Sequence, residues 1–448
     1  MLSPVQLKAI AKACPEESGQ LWQIGLRQDL ALWGLSAQAA AARQEKLAEA
    51  GFSFFSDERG GGNPVGCPAA GLTPEAHFDP TPQLLQMAKQ FAEAAAAGGS
   101  LPTVSVSACW HRCVHPEIHE LSLVGVPLEG GGFAFELWAG GGSGETPAFA
   151  KPTGWQLPVD KGAALLAALL SGFRAADAGR PFGAWIASLS SEQLQALLRE
   201  RVDFPLTASE QLAELPDSYR DEVGVREQPG GRFAVGVPVW LGRLTGKQLR
   251  RAGELAETHG DGSIRLTPRQ NLLFPNIEKE KVVPLLEGLD GIGLKGQAGP
   301  FRRGFTRCGG PEGKEPGAWE QELVEYLERA VRLEEPLRIH LCGCKTLCPE
   351  GGIAHLVLRP TRIQVDDRTL VAYDLWAGGE PGPERRFNRL AMPGVPADQV
   401  KSRLERLLGA YKRDHQMEES FSDFCDRIGE SGLTELLGAL QEEGAPEA

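Results

Sequence analysis

The sequence predicts an α+β protein built from two homologous halves, and three observations lead there. Residues 107–125, "SACWHRCVHPEIHELSLVG", and 342–358, "CGCKTLCPEGGIAHLVL", share a Cys-x3-Cys spacing, Cys109/Cys113 and Cys344/Cys348. An Ile (Ile118, Ile353) and then a Leu (Leu121, Leu356) follow the second cysteine at matching intervals. Both segments then run into near-identical strands, "FELWAGGG" (135–142) and "AYDLWAGGE" (372–380). Upstream, "IGLRQDLALWGLS" (24–36) aligns with "IRLTPRQNLLFPNIE" (264–278). Arg27-Gln28 thereby matches Arg269-Gln270, and a lone cysteine follows each, Cys67 and Cys308. Order and spacing kept over so long a span mark an internal duplication.

The halves are expected at about 1–160 and 225–392, with a helical connector at 161–224 and a C-terminal tail. In the second half "GRFAVGVPVWLG" alternates as a strand does. "TGKQLRRAGELAETHG" has helical spacing, a Thr N-cap and a Gly stop. "SIRLTPRQNLLF" reads as two short strands broken at Pro268, and "EKEKVVPLLEGLDG" as an amphipathic helix that Pro284 is placed to kink. Strand–helix–strand–helix units imply helices laid on a sheet face. The first half starts later: "MLSPVQLKAIAKA" already corresponds to the helix, so the leading strand is missing.

At 448 residues the chain is too long for one small core. A net charge of −13 speaks against a general nucleic-acid binder. No apolar run reaches the roughly 18 residues of a membrane span. The start has no basic segment followed by an apolar core, so no secretory signal is read there. A cytoplasmic location is therefore expected. Structural disulfides are rare in that compartment, and clustered cysteines point to metal or redox chemistry.

"LRIHLCGCKTLCPEGGIAHL" (337–356) places Cys342, Cys344 and Cys348 within seven residues. If "RIHLCGC" is a strand, Cys342 and Cys344 share a face. Cys308 sits in a second Gly-rich stretch, "FTRCGGPEG". Four thiolates from two loops suit an Fe–S cluster or zinc, and the long separation and glycine lining favour the cluster. Cys67, Cys109 and Cys113 make only three thiols. Either His111 or His115 completes a site there, or the three are a relic of duplication packed as small hydrophobes. Cys14 and Cys425 read as core residues on helices. The glycine runs at 60–62, 130–132 and 140–142 do not fit a dinucleotide turn.

Arg-Gln-Asn after a strand, a cysteine, then a strand ending in Gly-Cys-x3-Cys resembles the siroheme- and [4Fe–4S]-containing nitrite/sulfite reductases. "GGNPVGCPAAGL", "GFAFELWAGGG" and "ESFSDFCDRIGESGL" extend the resemblance over essentially the whole chain. It implies two ferredoxin-like half-domains, at 1–55 and 225–298, and two larger α+β domains, at 56–160 and 299–448, in a pseudo-two-fold arrangement. It implies a [4Fe–4S] cluster on Cys308, Cys342, Cys344 and Cys348, with Cys348 shared with siroheme. Basic side chains would meet the siroheme carboxylates, and Arg27, Arg265, Arg269, Arg302, Arg303 and Arg307 are the candidates. A small-molecule substrate of the nitrite or sulfite class and a ferredoxin-like electron donor are implied, with no nucleic acid and no membrane. The chain departs from the pattern at Lys314, where a second loop cysteine would stand, and Cys342 is the expected replacement. It also departs at Gly62, Thr103 and Ser105, where anion-binding cations would fall, so slow turnover of sulfite and nitrite is expected. A precorrin-3B synthase-like enzyme, with the tetrapyrrole as substrate, and a non-catalytic Fe–S electron-transfer subunit are the alternatives.

Overall fold

Helix Gly246–His259 begins where its sequence says it should. Thr245 and Gln248 form a reciprocal capping box, and the helix stops at Gly260. It packs beside the first-half helix Pro4–Ala13, and Leu7 and Ile10 share one core with Leu249 and Ala252. The computed structural model describes residues 1–13, 21–54, 62–96, 101–142, 147–176, 179–209, 212–216, 222–308, 318–343 and 348–438. They form two compact units, 1–298 and 299–448.

In the first unit, strand Phe233–Val237 lies between Gly224–Glu227 and Leu272–Ile277, and Leu272–Ile277 also pairs with the short strand Arg265–Leu266. The break at Pro268 is thus a real turn. Pro284 does not kink its helix. It occupies the first turn of Val282–Asp290, where a missing N–H costs no intrahelical bond. Among its described residues the first half has no counterpart of Phe233–Val237.

The two halves exchange partners. Leu244, just before the second-half helix, pairs with Trp22, and Leu2, just before the first-half helix, bridges to Ile264. The same sequence interval separates Leu2 from Leu244 and Trp22 from Ile264. Two duplicated segments therefore form one module.

The larger sheets repeat one another. In the first unit, Val65–Gly66, Val104–Ser107 and Leu121–Pro127 run parallel, and Phe133–Ala139, Lys151–Pro158 and Thr207–Ala208 follow antiparallel. In the second, Phe305–Arg307, Ile339–Leu341 and Leu356–Val365 run parallel before antiparallel Arg368–Ala377 and Arg389–Pro396. Each first parallel pair needs a crossover, supplied by helices Thr81–Ala96 and Ala318–Ala330. Leu121 opposes Ala139 as Leu356 opposes Ala377.

In segment 161–224, helices Gly162–Ala176, Phe182–Ala187 and Ser191–Arg199 do more than tether. Leu165, Leu169, Trp185 and Leu194 lie in one core with Phe91, Val106 and Phe135. Among the described residues no helix is long and apolar enough to cross a membrane.

Candidate cysteine-lined cofactor site

The second unit gathers thiols where its parallel strands end. Cys308 directly follows Phe305–Arg307, and its N–H donates to Leu341 O at 3.2 Å. The Gly343 N–H donates to Cys308 Sγ at 2.9 Å. Strand Ile339–Leu341 stops one residue before Cys342, whose N–H still donates to Leu358 O at 2.9 Å, and Cys342 is fully buried. Cys348 caps the short helix Pro349–Gly352, and its Sγ accepts the Gly351 N–H at 3.3 Å. Cys344, with Lys314 and Lys345, lies outside the described residues, so the expected shared face of Cys342 and Cys344 cannot be placed.

His340 is the site residue that sequence reasoning missed. It points to the same side of its strand as Cys342, an alternation visible in "HLC". Its Nε2 is 3.4 Å from Cys348 Sγ, and its Nδ1 is 3.0 Å from the Thr306 hydroxyl. The ligand atoms of Cys308, His340 and Cys348 all lie within 4.8 Å of one another. Burial acts to lower the His340 pKa, but hydrogen bonds and charge from Cys308 and Cys342 prevail and raise it to about 10. The protonated ring is the form these sulfur contacts favour. Gly351 closes against this group: a Cβ there would meet His340 Cδ2 at 2.9 Å and Cys348 Sγ at 3.3 Å. Soft thiolates, N–H donors aimed at sulfur and a glycine-lined wall fit an iron–sulfur cluster.

The arginines divide. Arg307 is buried in an ion pair with Glu320 at 2.8 Å. Arg302 is exposed and Arg303 half-buried, on the short helix Pro300–Gly304, whose Phe301 and Arg302 N–H groups donate to Glu328. In the first unit Arg27 and Arg269 are half-buried, and the Arg27 charge acts to lower the pKa of Asp29 and Glu120, which burial raises. Arg265 donates from one nitrogen to Pro68 O at 2.9 Å and Ala70 O at 2.5 Å, pinning the loop that carries Cys67. It also lines a cavity of about 650 Å³ with Gln28, Asp29, Gly66, Cys67 and Lys89.

Thr103 and Ser105 are spent internally. The Thr103 N–H donates to Glu120 at 2.8 Å, and the fully buried Ser105 hydroxyl donates to the Ser122 hydroxyl at 2.8 Å. Cys425 is a fully buried core thiol whose pKa burial raises to about 12. Cys14 lies outside the described residues.

Duplicated sheet-and-helix halves, one of them gathering Cys308, Cys342 and Cys348 where its parallel strands end, define a class: a redox protein with a sulfur-held cofactor. The model of the nitrite/sulfite reductase ferredoxin-like half domain matches residues 225–292, and that of the nitrite and sulphite reductase 4Fe-4S domain matches residues 59–206. A ferredoxin–nitrite reductase of Synechococcus elongatus is 29% identical, over 93% of this chain and 86% of its own length. A sulfite reductase [ferredoxin] of Mycolicibacterium paratuberculosis is 26% identical, over 82% and 69%. The solved NirA protein of Mycobacterium tuberculosis, at 24% identity, shares the fold with a TM-score of 0.82 over 96% of this chain and 82% of its own. The chain belongs to the nitrite/sulfite reductase family and is an oxidoreductase of that class. Membership implies a [4Fe–4S] cluster and siroheme as its cofactors.

Proposed function

We propose that the chain is a reductase of the nitrite or sulfite class fed by a ferredoxin-class one-electron donor, with Cys308, Cys342, Cys344 and Cys348 holding its [4Fe–4S] cluster. The observation that carries this reading is the convergence of Cys308, Cys342 and Cys348 around His340 at the ends of adjacent parallel strands. When bound, the cluster supplies single electrons and siroheme supplies the centre at which an oxyanion is reduced. The chain's own residues hold and tune. The Gly343 and Gly351 N–H groups donate to the sulfurs of Cys308 and Cys348 and orient them. His340 sets the charge beside Cys348. Arg27, Arg269, Arg302 and Arg303 are assigned to the siroheme carboxylates, which need cationic partners once desolvated. Arg307 is assigned instead to Glu320.

A second reading has its own observation. Thr103 and Ser105 are neutral and fully engaged by Glu120 and Ser122, so they bring no cation to an oxyanion. This favours the branch resembling precorrin-3B synthase, in which a tetrapyrrole is the substrate. The absorption spectrum of anaerobically purified protein, followed by turnover with reduced ferredoxin, separates the two. Siroheme bands with nitrite- or sulfite-dependent oxidation of the donor support the first reading. A cluster without siroheme, and turnover of a precorrin, overturn it in favour of the second.

A further inference from the structure

The two halves of the first unit differ at one sheet edge. In the second half, strand Leu272–Ile277 carries Phe233–Val237 along its outer side, with Val237 opposite Leu272 and Val235 opposite Phe274. These four side chains are fully buried in one core. In the first half the equivalent strand is Leu30–Trp33, and Leu30 and Leu32 stand where Leu272 and Phe274 do. Its inner side pairs with Leu21–Ile24. Among the described residues no strand pairs with its outer side. Leu30 and Leu32 pack against the same core but are only half-buried, and Ala31 is exposed where Leu273 is buried.

The backbone decides which groups this edge offers. The Gly25 N–H donates to Asp29 O at 3.0 Å, as the Thr267 N–H donates to Asn271 O at 3.0 Å. Bonded and non-bonded pairs alternate along an antiparallel ladder. Leu30 and Leu32 therefore turn their N–H and C=O groups away from Leu21–Ile24, as Leu272 and Phe274 turn theirs toward Phe233–Val237. Such a row beside apolar surface is a template for another strand. The cavity of about 650 Å³ lies along the same edge: Asp29, Leu30 and Ala31 line it, with Trp22, Leu47 and Phe52. Asp29 occupies the position of Asn271, whose Oδ1 accepts the Val239 N–H at 3.0 Å, two residues beyond Phe233–Val237.

We propose that this edge is a docking site for an extended strand of a partner protein, added antiparallel to Leu30–Trp33 with its apolar side chains filling the cavity. The second half specifies the chemistry of that strand. It is apolar–small–apolar, as in Val235-Gly236-Val237, because residues two apart share the face that meets Leu30 and Leu32. A backbone N–H two residues further on meets the Asp29 carboxylate, as the Val239 N–H meets Asn271. Main-chain bonds to Leu30 and Leu32 give the addition its affinity, and the side-chain pockets give it selectivity. A small molecule in the cavity would leave those backbone groups to water, which separates the two kinds of occupant.

The test uses the full chain and a fluorescently labelled synthetic peptide with the sequence of residues 231–240, GRFAVGVPVW. Saturable binding by fluorescence anisotropy is expected, with slowed backbone hydrogen exchange at Leu30 and Leu32 in the complex. A scrambled peptide of the same composition should bind about tenfold more weakly or worse, since the alternation is lost. Leu32→Pro deletes an outward N–H and breaks no bond to Leu21–Ile24, so the fold should survive while peptide affinity falls about tenfold or more. If that variant does not fold, the exchange measurement on the parent chain decides alone. Absence of saturable binding, equal binding of the scrambled peptide, or unchanged exchange at Leu30 and Leu32 overturns the proposal. A parent chain that sediments as a dimer, and as a monomer once Leu32→Pro is made, also overturns it by giving the edge to a second copy.

Discussion

Gln28 and Gln270 hold each other's half of the first unit. Gln28 Nε2 donates to Leu266 O at 2.8 Å, and Gln270 Nε2 donates to Ile24 O at 2.7 Å. Each carbonyl lies four residues before the other glutamine, so the two bonds are one contact seen twice across the pseudo-two-fold. Both glutamines have left-handed backbone, φ 57° and 63°. Gln28 Oε1 also accepts the Gly66 N–H at 2.8 Å, tying the interlock to the strand before Cys67.

Gln28→Ala should therefore destabilise the first unit by about 1–3 kcal/mol, the usual cost of leaving buried backbone groups unpaired. Gln28→Gly should cost less, because glycine accepts φ 57° without the penalty that alanine meets there. Urea denaturation of both variants checks the order. An alanine variant as stable as the parent would mean that water replaces both bonds.

Cys342→Ser should lower iron and acid-labile sulfide, since Cys342 is fully buried beside His340 and is assigned as a ligand. His340→Ala should keep the iron and shift the cluster's reduction potential, because it removes a charge and a hydrogen bond at Cys348 sulfur. Iron analysis with a potentiometric titration reads both. Full iron in Cys342→Ser together with iron loss in His340→Ala would make His340 the ligand instead.

Arg307→Ala should act on stability. Removing one partner of a buried ion pair costs about 3–5 kcal/mol, and Glu320 would be left as an uncompensated charge. Thermal unfolding should show the loss, with cofactor content falling only as far as folded protein does. A variant of parental stability that lacks siroheme alone would return Arg307 to the cofactor.

Reduction of sulfite and nitrite should be slow with a reduced viologen dye as donor. Each missing donor to a developing oxyanion costs about 3 kcal/mol, or roughly 100-fold in rate. Ser105 and Thr103 are neutral and already bonded to Ser122 and Glu120. Rapid sulfide or ammonia production would show that other cations, Arg302 or Arg303 among them, have taken over the role.

Much of the fold was legible in one dimension. Thr245 and Gly260 announced a helix start and stop, and the spacing of Cys109/Cys113 and Cys344/Cys348 announced the duplication. These signals are local or repeated, and periodicity carries them. His340 was passed over because a lone histidine on an apolar strand looks like core. Nothing in the neighbourhood of Arg307 along the chain announces Glu320 as its partner.

By itself the sequence determined the α+β class, the two-fold repeat, the thiol-rich stretches and the family they resemble, since all of these reside in residue type and spacing. Tertiary structure alone decided the exchange between Gln28 and Gln270, the placing of His340 among three sulfurs, the burial of Arg307 against Glu320 and the packing of Cys67 with Cys109. The physical reason is common to all four. A buried polar or ionisable group takes its character from the partner that satisfies it, and these partners arrive from other strands and loops, at separations along the chain that no local pattern encodes.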